Sequence, residues 1–105
     1  MPSEIFCLEL KEKIALGENI ILLDVRTREE HDFAAINPSI LIPLDELELR
    51  YLELDKNKEI IIYCHHGVRS KVAAQFLFSK GFTVKSLHSG IDAWSLQIDT
   101  TLPRY

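Results

Sequence analysis

Residues 60 to 70, Ile-Ile-Ile-Tyr-Cys-His-His-Gly-Val-Arg-Ser, set a thiol between a strand signal and a helix signal. The apolar run Ile60 to Tyr63 predicts a buried strand that stops at Cys64, and a helical pattern begins near Arg69 and Ser70. In α/β proteins, ligands bind where the strands of a parallel sheet end. A helix N-terminus at that place offers unpaired N–H groups and a favourable dipole to an anion. Gly67 permits the tight turn that lets successive N–H groups converge on a sulfur. Cys64 is therefore predicted to be a nucleophile, held as a thiolate or as the persulfide formed from it, with no separate general base. His65, His66, Arg69 and Lys71 add actual or potential positive charge nearby. The plainer alternative is a buried structural cysteine at a strand end, followed by a short polar turn.

The elements that position this loop alternate along the chain. A short extended start leads into a helix ending at Ala15 and Leu16, with Leu10, Ile14 and Cys7 on one face and Gly17 as its stop. Cys7 reads as a small core residue. Ile20 to Val25, broken only by Asp24, fits a parallel strand covered on both faces. Thr27-Arg28-Glu29-Glu30 is a capping-box pattern that predicts a helix to about Ala34. Asn37-Pro38 marks a turn, Ser39 to Ile42 a short strand, and Asp45 the start of a helix carrying Leu47, Leu49 and Leu52. Beyond the loop, a helix over about Ser70 to Lys80 has Val72, Ala73, Phe76 and Leu77 as its apolar stripe. Thr83 to Leu87 is the next strand, Ile91 to Leu96 the last helix, and Thr100 to Tyr105 an irregular tail. Such alternation predicts an α/β fold with a mainly parallel central sheet flanked by helices, in one domain spanning residues 1–105.

Composition excludes several function classes. The 105 residues are 47% apolar and 27% charged, as in ordinary globular chains. No apolar run approaches the roughly 20 residues of a membrane-spanning helix, and residues 1–4 lack a signal-peptide pattern. The reading is a cytoplasmic protein without membrane association, its two cysteines reduced and in no zinc-binding spacing. A net charge of −4 argues against nucleic acid as a partner. Residues 1–55 hold 5 basic and 13 acidic side chains, and residues 56–105 hold 7 and 3. The half that carries Cys64 is the positive half, a hint of a small anionic substrate.

The segment Cys64-His65-His66-Gly67-Val68-Arg69-Ser70 resembles the active-site loop of rhodanese-type sulfurtransferases. Leu23-Asp24-Val25-Arg26 with Glu29-Glu30 is similar to the first conserved segment of that family, Ile42-Pro43-Leu44 to its next strand end, and Gly90-Ile91-Asp92-Ala93-Trp94 to its closing motif. Order and spacing also match. Cys64 to Arg69 is a six-residue Cys-x4-Arg loop, whereas the related phosphatases and arsenate reductases carry one residue more. The shorter cradle suits a sulfur substituent better than a phosphate.

The resemblance implies a rhodanese-like three-layer fold and a double displacement without metal or organic cofactor. Cys64 would take the outer sulfur of thiosulfate and pass it to a thiophilic acceptor, cyanide or a thiol. Protein sulfur donors or acceptors are possible partners under the same reading. Arg69 is expected to hold the loop or an anionic substrate group, and His65 and His66 to line the mouth. Asp24 and Arg26 are expected to orient neighbouring loops, and Trp94 to pack in the core or rim. His31 and His88 read as surface or half-buried residues. Two segments depart from the family pattern. Gly-His-Ile-Pro-Gly-Ala is here Ala34-Ala35-Ile36-Asn37-Pro38-Ser39, and the final Gly-Gly is Ser89-Gly90. Two rivals stand beside sulfurtransfer from thiosulfate: a persulfide carrier or interaction module, and less favoured, a phosphatase or arsenate reductase.

Overall fold

The computed structural model of the protein describes residues 2–105. Five strands, β1 (Ser3–Ile5), β2 (Ile20–Asp24), β3 (Ile40–Leu41), β4 (Glu59–Tyr63) and β5 (Val84–Leu87), form one sheet in the order β1-β5-β4-β2-β3. Every pairing is parallel. Five helices connect or follow them: α1 (Cys7–Ala15), α2 (Arg28–Phe33), α3 (Leu47–Arg50), α4 (Val68–Ser79) and α5 (Gly90–Gln97).

Side chains alternate across a strand, so the apolar runs of β2 and β4 feed two cores. On one face Ile60, Ile62 and Cys64 join Leu23, Val25, Leu47 of α3, and Ala73, Ala74 and Leu77 of α4. On the other, Ile61 and Tyr63 join Leu22, Cys7 and Leu10 of α1, and Ile91, Ala93 and Trp94 of α5. The two free cysteines thus lie on opposite faces of the sheet and cannot pair.

The connection after β2 leads outward to β3, while the one after β4 leads to β5 on the opposite side. Between the C-terminal ends of β2 and β4 the chain therefore parts in two directions, which opens a crevice. Asp24 ends β2, and Cys64 follows β4 directly.

Three helix readings need correction. The segment after Pro43 is a short α3 flanked by tight 3-10 turns at Leu44–Glu46 and Tyr51–Glu53. Of its three leucines only Leu47 is buried; Leu49 and Leu52 are 88% and 81% exposed. Leu44, Tyr51 and Leu54 pack against the core instead, because the 3-10 turns rotate the faces. In α1, Cys7 and Leu10 are buried but Ile14 is 40% exposed. In α4, Ala74 takes the inward place expected for Val72, and the helix begins at Val68 rather than Ser70.

Candidate active site

The loop after β4 turns its N–H groups inward because its carbonyls are held from the other side. The Cys64 and His65 carbonyls accept hydrogen bonds from Ile91 N–H and Asp92 N–H, at 2.9 and 3.1 Å, in the first turn of α5. Gly90 lets the two backbones approach this closely: it has φ +60°, and a Cβ there would strike the Cys64 carbonyl oxygen. Gly67 caps α4 at φ +107°, with the Ser89 backbone nitrogen 3.3 Å from where a Cβ would sit. Ser89 itself has φ 59°, a left-handed conformation unfavourable to any side chain.

The consequence is a sulfur facing donors. Gly67 N–H and Ser70 N–H donate to Cys64 Sγ at 3.1 and 3.3 Å, and the thiol in turn donates to Ser70 Oγ at 3.5 Å. Ser70 Oγ is fixed in turn by the Gly67 carbonyl at 3.1 Å and by Ser86 Oγ of β5 at 2.7 Å. Cys64 is only 1% exposed, so these contacts act in a medium where water competes little.

The end of β2 supplies the opposite wall. Asp24 and Arg26 are both fully buried. Asp24 accepts from Arg26 Nε at 2.9 Å and Nη2 at 2.7 Å, and contacts His31 Nδ1 at 2.8 Å. Arg26 also donates to the Ala34 carbonyl. Burial alone would lower the Arg26 pKa, but its bonds to Asp24 and to Tyr105 outweigh it and hold the charge. The altered 34–39 segment is secured here as well: the Tyr63 hydroxyl accepts from Ile36 N–H at 3.2 Å and meets Ser39 Oγ at 2.9 Å. Burial, and then the nearby Asp24 charge, push the Tyr63 phenol up to about 12.

Arg69 turns towards α2. Its two terminal nitrogens donate to both oxygens of Glu30, at 2.7 and 2.9 Å. That two-pronged bond raises the Arg69 pKa and, as the leading cause, holds the Glu30 carboxyl well below the usual carboxylate range. Glu30 also closes the capping box of α2 by accepting from Thr27 N–H.

The tail covers this bracket. The Tyr105 hydroxyl accepts from Arg26 Nη1 at 2.7 Å and donates to Glu30 Oε2 at 2.6 Å. Its ring stacks on His65 with centroids 3.8 Å apart. Burial and then the Glu30 bond push this phenol up to about 12. Burial and then the neighbouring His66 lower the His65 pKa. Its Nε2 is buried without a hydrogen-bond partner among the described residues. His66 is exposed, 4.0 Å from the Asp92 carboxylate, and Val68 is 73% exposed.

The loop residues 64–70 therefore share one site, and Asp24 and Arg26 stand beside it. Trp94 is a buried residue of α5, His31 is half-buried on Asp24, and His88 lies at the surface against Phe6 and Glu4. Sequence reasoning missed Tyr105, whose partners lie 75 and 79 residues away, and the Ser70–Ser86 pair. An open cleft of about 370 Å³ adjoins the loop at Arg69, walled by Val25, Thr27, Pro43, Leu44 and Asp45.

A family model for the rhodanese-like domain matches residues 7–97. The chain belongs to the rhodanese-like family. It is 32% identical to a sulfurtransferase of Allochromatium vinosum over 96 residues, covering 90% of each chain. YrkF of Bacillus subtilis (strain 168), whose name describes it as a candidate sulfur carrier protein, is 41% identical over 81% of this chain. This chain spans 46% of that protein's length. Among solved structures, a rhodanese-related protein from Thermoplasma volcanium superposes with a TM-score of 0.85 at 32% identity, covering 91% of this chain and 93% of that one. A parallel sheet flanked by helices is the architecture of this family, and sulfur transfer is its general chemistry.

Proposed function

We propose that the chain moves a sulfane sulfur from thiosulfate or a related donor to a thiophilic acceptor, cyanide or a thiol, through a persulfide on Cys64. The observation that carries this reading is the convergence of Gly67 N–H and Ser70 N–H on one buried sulfur. In the first displacement the Cys64 thiolate attacks the outer sulfur of the donor. The donor's S–S bond breaks, and its electron pair leaves with sulfite when the donor is thiosulfate. A new S–S bond now joins the transferred sulfur to Cys64, and the loop N–H groups face the negative charge it carries. In the second displacement the acceptor attacks that outer sulfur, and Cys64 leaves as a thiolate. The six-residue loop favours this over phosphate chemistry. Two unpaired cysteines fit a reducing compartment such as the cytoplasm.

Thiocyanate formation from thiosulfate and cyanide is the test. Wild type is expected to turn over with ping-pong kinetics, and Cys64→Ser to fall to the uncatalysed rate. Undiminished activity in Cys64→Ser would remove Cys64 as the nucleophile. The likeness to YrkF favours a second reading, a persulfide carrier loaded by another protein. Under that reading Cys64 gains sulfur from a persulfidated protein but not from free thiosulfate.

A further inference from the structure

We infer that Ser86, a residue of β5 outside the loop, is a positioning residue for the nucleophile: its hydroxyl acts through Ser70 to favour the thiolate of Cys64 over the thiol. This rests on Cys64 being the nucleophile and gives it a partner that the loop does not contain. Val84 and Ser86 share one face of β5, towards the core that holds Ile60, Ile62 and Cys64. A hydroxyl in such a place costs free energy unless it is bonded. Ser86 is 2% exposed, and its one side-chain partner among the described residues is Ser70 Oγ, at 2.7 Å. Ser70 is itself fully buried. Packing alone would be served better by alanine or valine.

Ser70 Oγ carries one proton but has three polar neighbours: the Gly67 carbonyl at 3.1 Å, Ser86 Oγ at 2.7 Å and Cys64 Sγ at 3.5 Å. With Cys64 as a thiol, S–H donates to Ser70 Oγ and the Ser70 proton goes to the Gly67 carbonyl. Ser86 is then the donor across the 2.7 Å contact, and Ser70 Oγ accepts twice. Ionisation breaks the S–H bond, leaves its electron pair on sulfur and sends the proton to water. Sγ becomes an acceptor, and the Ser70 O–H turns towards it. The Gly67 carbonyl, at the N-cap of α4, keeps the first bond of that helix. Ser70 Oγ has lost its donor on sulfur, so the Ser86 O–H is now the only one it accepts from. Donation into a hydroxyl also strengthens the bond that hydroxyl gives. The Ser86 hydroxyl is therefore worth more beside the thiolate than beside the thiol. It acts before the first displacement and again when Cys64 leaves in the second. Nearby charges do not replace it: Arg69 is paired with Glu30, and Lys71 of α4 and Glu4 of β1, which share a hollow with Ser86, are paired with each other.

The test is the ratio of thiolate to thiol at Cys64, read from the ultraviolet absorbance of the thiolate against pH, with Cys64→Ser as the blank. At the pH where half of wild type is ionised, Ser86→Ala is expected to show a ratio about fivefold lower, the worth of one neutral hydrogen bond. Ser86→Thr keeps the hydroxyl and Ser86→Val matches it in shape without one, so the Thr variant is expected to hold the higher ratio. In a Ser70→Ala background, Ser86→Ala is expected to lower the ratio no further. An unchanged ratio in Ser86→Ala overturns the role of Ser86 and leaves the sulfurtransferase reading intact. A fall in Ser86→Thr as large as in Ser86→Val assigns the effect to packing, and additive effects of Ser70→Ala and Ser86→Ala break the link through Ser70; each overturns the inference. Undiminished thiocyanate formation in Cys64→Ser overturns the underlying reading as well.

Discussion

At the residue scale, two neighbouring positions carry opposite conformational demands. Gly90 has φ +60°, and any Cβ would collide with the Cys64 carbonyl it faces. Gly90→Ala is expected to destabilise the fold by at least ~2 kcal/mol and to disorder the loop, since strain and steric conflict combine. Urea unfolding measures the first effect, and amide exchange across residues 64–70 the second. Ser89 adopts φ 59° with a side chain that gains no capping bond in return. The rhodanese pattern of two glycines explains itself here, and this chain keeps only the second. Ser89→Gly is expected to stabilise the protein by up to about 1 kcal/mol, the penalty of a left-handed non-glycine residue. An unchanged or lower urea midpoint would contradict the strain argument. The glycine-serine departure was visible in the sequence. Its cost became legible only with the backbone angle.

At the element scale, the loop is held by two helices and a tail: α5 grips its carbonyls, Glu30 of α2 its arginine, and Tyr105 stacks on its His65 while bonding Glu30. The α2 bracket is pH-dependent. Glu30 has a folded pKa below its unfolded value, led by the Arg69 bond, so its contribution is fully present above about pH 5. It is lost as the pH falls from there towards the depressed folded value. Wild type is therefore expected to lose stability more steeply than Glu30→Gln below about pH 5, measured as urea midpoint against pH. Parallel curves would rule out the bracket as a stabilising ion pair. The capping box that starts α2 was readable in the sequence because it is local, from Thr27 to Glu30. The reach of Glu30 to Arg69 and Tyr105 was not, since no periodicity reports a contact spanning 39 or 75 residues. The helix expected from Asp45 failed for a similar reason: the 3-10 turns on either side of α3 change which side chains share a face, and apolar identity alone does not announce them. Tyr105→Phe keeps the ring on His65 but removes the hydroxyl between Arg26 and Glu30. It is expected to loosen Glu30 and Arg69, seen as faster exchange at residues 67–70, with less effect at His65.

At the scale of the whole molecule, a parallel sheet directs the ends of β2 and β4 to one crevice, and the chemistry-bearing segments follow those two strands. Alternation of apolar strands with amphipathic helices made that architecture legible. The buried runs Ile20 to Val25 and Ile60 to Tyr63 signal the centre of the sheet because both faces of those strands must be covered. The charge asymmetry between the chain halves was equally visible, but folding mixes the halves: Glu30 and Glu4 of the acidic half pair with Arg69 and Lys71 of the basic one. What remains decisive is whether the buried sulfur becomes a persulfide. The direct measurement is peptide-level mass spectrometry after exposure to sulfane-sulfur donors. Cys7 serves as an internal control, since burial pushes its thiol pKa up and it faces the opposite core. One added sulfur on the Cys64 peptide, removed by cyanide and absent from Cys7, is the expected result. Thiocyanate production with Cys64 never modified, or with the sulfur found on Cys7, would contradict the account.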